Sequence, residues 1–239
     1  MNDNPSTPTI NSILISLPAA DRERLAPKLE RVTMAHGDIL YAPDQKIKHV
    51  YFPDRAMISV VAYTPEGQGS EVAVIGFEGI TGIDVVLGSD RASNEFITQL
   101  SDGALRMTTA DIRDEFARAG AMQSLLLQFT RKLLVQISQT ALCNRLHTTE
   151  KRLSRWLLMC HDRHDTDILN ITQEFLAVML GTTRTSVSIT ANVLADDGMI
   201  SYSRGVITIT DRKGLEKFTC PCYKVIRQAY APDMPMRRP

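Results

Sequence analysis

The rhythm of apolar and polar positions changes twice along the chain, and each change marks a new kind of element. From about Val32 to Met107, short β-branched or aromatic runs recur: "HVYF", "AMISVVAY", "SEVAVIG" and "EFITQL". Pro53-Asp54, Pro65-Glu66-Gly67 and Gly88-Ser89-Asp90 separate them. Short strands between such turns predict a small antiparallel barrel or roll. Ahead of them "PAADRERLAPKLE" reads as a short helix with Pro27 near its end.

From about Asp111 to Arg163 the pattern is helical, and Gly120 is almost the only breaker. Met122, Leu126, Phe129, Leu133, Ile137 and Thr140 follow spacings of four, three, four, four and three. That stripe of heptad character predicts a helix pairing with its twin in a homodimer. The alternative is a helix covering the open side of the roll. Leu125, Leu127, Leu134 and Val135 fall off the stripe, so a second apolar face allows both contacts. A further helix, "TTEKRLSRWLLMCHDR", has Thr149 as its N-cap candidate and turns Leu153, Trp156, Leu157 and Cys160 inward.

The third regime starts at Ile168. "ITQEFLAVML" reads as an amphipathic helix capped by Thr172, with Phe175, Leu176, Met179 and Leu180 as core and Gly181 ending it. Thr182 or Thr183 caps a second helix whose inward positions are Val187, Thr190 or Ala191, and Leu194. "MISYSRGVITITD" then alternates on both sides of Arg204-Gly205, as a hairpin does. Helix, glycine turn, helix and hairpin together predict a winged helix.

The outer face of that second helix is unusual. A helix that only fills a core carries Lys and Glu on its wet side; this one presents Thr183, Arg184, Thr185, Ser186, Ser188 and Ile189. Short hydroxyls can donate to phosphate oxygens without filling a major groove, and a helix N-terminus adds partial positive charge. Arg184 in the first turn has the planar fork that matches guanine O6 and N7. Arg204, at the hairpin tip, is placed to reach a phosphate or the minor groove. Such helix pairs also occur as plain packing elements, but the wing and the hydroxyl-rich face favour a DNA reader.

At 239 residues, with 44% apolar and 23% charged positions, the chain can build two modest domains or one large one. No run approaches the roughly 18 apolar residues of a membrane span, so no membrane partner is expected. "MNDNPSTPTI" lacks the order of a secretion signal and reads as a short disordered leader. Net charge is zero, but from His147 onward there are 13 Lys+Arg against 10 Asp+Glu, and before it 14 against 17. This mild asymmetry points the C-terminal part toward a polyanion.

Four cysteines, Cys143, Cys160, Cys220 and Cys222, make no disulfide framework and fit a reduced, cytoplasmic chain. Cys220-Pro221-Cys222 offers two thiolates, whereas structural zinc needs four ligands. Cys160, His161 and His164 complete such a site only if the fold brings them close, so no metal is expected. The alternative is a metal or redox sensor acting through Cys220 and Cys222. A lone His36 or His49 gives no support for haem. Carboxylates such as Glu66, Glu71 and Glu78 come without a His-x-His cluster, a phosphate loop or a nucleophile elbow, so no enzyme is expected.

The stretch "LNITQEFLAVMLGTTRTSVSITANVLADDGMISYSRGVITITD" resembles the cyclic-AMP receptor protein/fumarate-nitrate regulator (CRP/FNR) family of bacterial transcription factors, and the likeness extends over nearly the whole chain. Its signature is kept in Thr172, Gly181, Thr183-Arg184-Thr185-Ser186-Val187 and the exit from Leu194 to Ile200. The resemblance implies that Thr183 and Ser186 hold phosphates, that Arg184 contacts bases, and that Thr185 and Ser188 tune specificity. Ile189 stands where many relatives carry a second base-reading Arg; it would suit a thymine methyl.

The resemblance also implies an α+β fold: an N-terminal cyclic-nucleotide-binding-like antiparallel β-roll, a long dimerisation helix and a C-terminal winged helix-turn-helix. The expected limits are a leader at 1–18, the roll at 19–112, the dimerisation helix at 113–145 and the DNA-binding domain at 146–239. "HGDILYAPDQKIKHVYFPDRAMISVV" fits the roll's opening strands. Gly76, Glu78 and Gly79 stand where nucleotide-binding members have a ribose-holding Phe-Gly-Glu turn. Ser93 and Asn94 replace the phosphate-holding Arg pair, with Arg91 two residues early. The usual cyclic-AMP contacts are therefore not expected, and the effector stays unassigned. No cysteine precedes Cys143, which excludes an N-terminal iron–sulfur cluster. Expected partners are double-stranded DNA, a second copy of the chain, RNA polymerase and a small-molecule effector. The competing reading is a cyclic-nucleotide-like interaction module that has lost DNA binding.

Overall fold

The computed structural model describes residues 9–164 and 166–234. Helices α1 (Ser12–Ile15) and α2 (Ala19–Leu25) lead into β1 (Glu30–Met34), β2 (Ile39–Tyr41), β3 (His49–Pro53), β4 (Met57–Tyr63), β5 (Gly69–Ile75), β6 (Glu95–Leu100) and β7 (Asp102–Thr108). Then come α3 (Thr109–Ala117), α4 (Ala121–Leu146) and α5 (Thr149–His161). The chain continues through β8 (Ile168–Asn170), α6 (Gln173–Met179), α7 (Arg184–Asp196), β9 (Ile200–Ser203), β10 (Val206–Ile209), α8 (Arg212–Phe218) and α9 (Pro221–Tyr230). Two compact units result: residues up to Val60 with Ile75–Arg131, and Val61–Val74 with the chain from Lys132 onward.

The first unit is built on the roll. β7 pairs antiparallel with both β1 and β3, setting Val32 opposite Ala104 and Phe52 opposite Leu105. A second sheet runs β2-β6-β4-β5. Alternation buries Val50 and Phe52 of β3, as a period-two strand with one covered face requires, while β7 buries Ala104 and Met107, three residues apart. Gly79 is fixed by packing: a Cβ there would stand 2.3 Å from a ring carbon of Phe129.

Two expectations are corrected in this unit. The stretch from Asn11 to Leu17, read as leader, is folded. Buried Asn11 caps α1 by accepting from the amides of Ile13 and Leu14, and its side-chain amide donates to the Pro53 carbonyl at 2.9 Å and the Gly79 carbonyl at 2.8 Å. Ile13, Leu14 and Leu17 are buried beside it. Residues 1–8 of the proposed leader lie outside the described residues. The near-continuous helical run also breaks before α4, where Ala119 adopts φ 55° ahead of Gly120.

The heptad stripe of α4 is the inward one. Met122, Leu126, Phe129 and Thr140 are buried within the chain, and Leu133 and Ile137 are half-buried. The exposed apolar residues are Leu127, Leu134, Leu142 and Leu146. Spacing marks an apolar stripe but carries no label for what the stripe meets, and here Met122, Leu126, Phe129 and Thr140 are covered by the chain itself, while Leu133 and Ile137 keep part of their surface.

The second unit holds the winged helix. Its centre comprises Leu153, Trp156, Leu157, Leu176, Val187, Leu194, Ile207 and Leu215, all essentially inaccessible. β10 lies between β8 and β9, with Ile207 opposite both Leu169 and Tyr202. The N-cap position of α5 is Thr148, one residue earlier than expected, and it starts the helix without a side-chain capping hydrogen bond. Val61–Val74, which holds the end of β4, the turn after it and most of β5, clusters with this unit. Among the described residues no helix is long and apolar enough to cross a membrane.

Candidate nucleic-acid interface

α6 begins at Thr172, whose hydroxyl oxygen accepts from the Phe175 amide at 3.2 Å. It closes at Gly181, which turns the chain at φ 53°. α7 then starts from Thr183, whose hydroxyl accepts from the Ser186 amide at 3.2 Å and lies 2.9 Å from the Ser186 hydroxyl. Val187, Thr190, Ala191 and Leu194 face inward. The opposite side carries Thr183, Arg184 and Thr185, exposed, with Ser186 and Ser188 half-buried. Ile189 stands among them, an isoleucine 59% exposed.

A chain of polar contacts arrays this face. The Arg184 Nε donates to Gln173 Oε1 at 3.2 Å, and the Gln173 amide donates to the Ser188 hydroxyl at 2.7 Å. Arg184 Nη1 is also 2.7 Å from Glu174 Oε1. Both partners of that ion pair are more than 60% exposed. A water-exposed pair of this kind contributes about 0–1 kcal/mol, so it holds the guanidinium in place while releasing it cheaply to a stronger anion.

The wing stands beside the same face. Ser203 pairs with Val206, leaving Arg204 and Gly205 as a two-residue loop with φ of 49° and 79°. Positive φ at both positions is the type I′ geometry that matches the twist of the strands. Gly205 takes it freely, whereas Arg204 pays a conformational cost that Asn or Gly would not. Arg204 is exposed, and among the described residues no hydrogen bond or ion pair holds its guanidinium. Thr172, Gln173, Glu174, Arg184, Tyr202 and Arg204 line a shared cleft of about 490 Å³. Gln173, Glu174 and Tyr202 were missed by reading the helix face alone; they arrive from α6 and β9.

The residues considered for an effector pocket have other partners. Glu78 is buried and its Oε1 accepts from the Gly76 amide at 3.2 Å, closing a tight turn. Gly79 is filled against Phe129, as described above. Arg91 is exposed and donates to the Asp44 carbonyl at 2.6 Å. Ser93 donates to the Asp84 carboxylate at 2.6 Å, so an acidic group stands beside it. Asn94 is half-buried ahead of β6.

The cysteine and histidine candidates separate into two groups. Cys160 is buried in α5, and His161 is held between Asp167 (2.6 Å) and Arg212 (2.8 Å) in a network that ties α5 to α8. Neither joins Cys220 and Cys222. Those two instead meet Cys143 and His147. The sequence signal for this meeting is a Cys and a His four residues apart at one helix end. His36 rests against the Gln99 carbonyl at 2.7 Å.

Comparisons with known proteins agree with this geometry. Residues 151–218 match the model of the Crp-like helix-turn-helix domain. A CRP/FNR-family transcriptional regulator from Eubacterium rectale superposes with a TM-score of 0.68 at 15% identity, over 86% of this chain and 96% of that one. FixK2 from Bradyrhizobium japonicum gives a TM-score of 0.68 at 14% identity, over 80% and 98%. The c-di-GMP responsive global regulator CLP of Xanthomonas campestris gives 0.63 at 14% identity, over 80% and 99%. No curated protein sequence matches significantly. The chain thus has the fold of CRP/FNR regulators and carries their helix-turn-helix domain.

Proposed function

We propose that the chain is a sequence-specific DNA-binding transcription regulator that acts as a homodimer on a roughly palindromic operator. The observation that carries this reading is the shared face of α7 and the wing: exposed hydroxyls, a loosely held Arg184 and an Arg204 free at the tip. α7 enters a major groove, where Thr183, Ser186 and Thr172 meet phosphates at the helix N-termini. Arg184 exchanges Glu174 for a guanine edge, and Ile189 packs on a thymine methyl. Thr185 and Ser188 sit where neighbouring bases are read. Arg204 reaches the flanking backbone.

Dimerisation uses the outward row of α4, Leu127, Leu134 and Leu142, rather than the buried stripe. Two copies then present their α7 helices to half-sites one DNA turn apart, about 34 Å. The roll receives a small-molecule effector or a protein partner, and RNA polymerase is the downstream partner of a cytoplasmic, non-enzymatic regulator. The usual cyclic-AMP contacts are not available to it, because Ser93 faces Asp84 and Arg91 is tied to Asp44.

Selection of bound duplexes from a random DNA pool by the purified chain, with no effector added, tests this reading. A palindromic motif is the expected outcome. Absence of enrichment, persisting with cyclic nucleotides and under reducing and oxidising conditions, would leave the protein as an interaction module.

A further inference from the structure

Cys143 and His147 stand four residues apart at the C-terminal end of α4, a spacing that puts both side chains on one helix face. Cys220 is the N-cap of α9 and Cys222 lies in its first turn, with Pro221 between them fixing the start of the helix. The three sulfurs and a ring nitrogen of His147 all lie within 4.8 Å of one another. Cys143 Sγ is 3.4 Å from Cys220 Sγ, and Cys222 Sγ is 3.7 Å from His147 Nδ1. All three cysteines are buried and free. A disulfide would bring two sulfurs to about 2.05 Å, so the cluster is an assembly of thiols.

Ligand chemistry selects among occupants. Zinc–sulfur bonds of about 2.3 Å in a tetrahedron put the ligand atoms roughly 3.8 Å from one another, close to the 3.4 and 3.7 Å of the two nearest pairs and within reach of a cluster spanning no more than 4.8 Å. An iron–sulfur cluster places its own iron and sulfide body between protein ligands and holds them farther apart. We propose that Cys143, His147, Cys220 and Cys222 form a Cys3His site for a single zinc ion.

A second observation points to the same charge. Arg155 is 4% exposed, yet among the described residues no carboxylate pairs with it. Its Nη1 meets only the Thr140 hydroxyl and the Met159 sulfur, both at 3.3 Å, and its Nε has no hydrogen-bond partner. A buried guanidinium needs an anion. Arg155 stands within electrostatic reach of Cys143, as does half-buried Arg152. Three thiolates and a neutral imidazole around Zn²⁺ carry a net charge of −1, which supplies that anion. Zinc binding releases the thiol protons to solvent.

The placement of the ligands gives the ion a role. Cys143 and Cys220 are 77 residues apart, and the helix-turn-helix segment at 151–218 lies between the two ligand pairs. The ion fastens both ends of that segment at its base. Its loss is expected to loosen the DNA-reading domain without unmaking the roll.

The test is metal analysis of the full chain purified under reducing conditions, followed by Co²⁺ and Zn²⁺ titration of chelator-stripped protein. About one zinc per chain is expected. Co²⁺ should give the intense visible bands of a tetrahedral thiolate site, discharged by added Zn²⁺. Cys220→Ser and Cys222→Ser should each abolish stoichiometric zinc, while Cys160→Ser, a buried thiol outside the cluster, should retain it. If the Cys→Ser chains fail to fold, His147→Gln, at a half-exposed position, should still bind Co²⁺ more weakly than wild type. A zinc-free chain that gives no cobalt spectrum overturns the proposal. So does iron with sulfide in place of zinc, or a Cys143–Cys220 disulfide in protein prepared without oxygen. Metal content is read without DNA, so a negative result leaves the operator-binding proposal untouched.

Discussion

The indole N–H of Trp156 donates to the carboxylate of Glu71 at 2.9 Å, and both side chains are buried. The bond joins α5 of the winged helix to the β4–β5 hairpin, which emerges from the strand-rich part of the sequence. Gln136 adds a second tie, donating to the Val74 carbonyl at 3.0 Å, and Ser70 packs against Gly181 in the turn between α6 and α7. The hairpin therefore touches the turn that leads into α7.

Trp156→Phe should lower unfolding free energy by about 1–3 kcal/mol, the range for removing the donor from a buried acceptor. Glu71→Gln keeps the volume and an acceptor oxygen and should cost less. Trp156 is the only tryptophan, so far-UV circular dichroism follows the denaturant titration of both variants, and indole fluorescence reports on the contact in the wild type and in Glu71→Gln. Equal losses in the two variants would mean that packing, not the hydrogen bond, holds the hairpin.

Arg184→Ala should weaken binding to the selected operator by about 1–3 kcal/mol and relax preference at one base pair. Competition binding with operators varied at each position measures both effects. A uniform loss on every sequence would reduce Arg184 to a phosphate contact.

Leu134→Glu places a charge on a side chain that is 59% exposed in the single chain, so folding should survive while the dimer splits. Light scattering coupled to size-exclusion chromatography reads the mass, and circular dichroism the fold. A dimer that persists would remove the outward row of α4 as the interface. Leu126→Glu, at a fully buried position, should unfold the chain instead.

Burial, and then the positive charge of Arg106, hold the His49 imidazole below its ordinary value of 6.5. The folded state thus takes up a proton less readily than the unfolded chain. This contribution to stability is complete above pH 6.5 and is lost as pH falls below that value toward the depressed one. NMR titration of the His49 ring should give a midpoint below 6.5. Arg106→Gln should move the midpoint upward, since it also frees Glu30, now bonded to Arg106 at 2.8 Å. An unmoved midpoint would assign the whole shift to burial.

The winged helix was legible in the linear chain because everything that defines it is local. Thr172, Gly181 and Thr183 are caps and turns whose hydrogen bonds close within three or four residues, and Arg204-Gly205 is a two-residue loop between alternating strands. Local rules therefore placed α6, α7 and the wing, and with them most of the candidate DNA face. Whatever depended on distant partners had to wait for the fold. The stripe from Met122 to Thr140 has the same spacing whether it meets a twin or its own core, and only tertiary burial separates the two. Cys143 with His147 is an unremarkable pair until α9 delivers Cys220 and Cys222, more than 70 residues later, because side chains converge on an ion through space. The Ser93–Asp84 contact is likewise made by a loop folding back on itself. Periodicity and capping chemistry write the elements; burial and convergence across long loops decide which of their faces act.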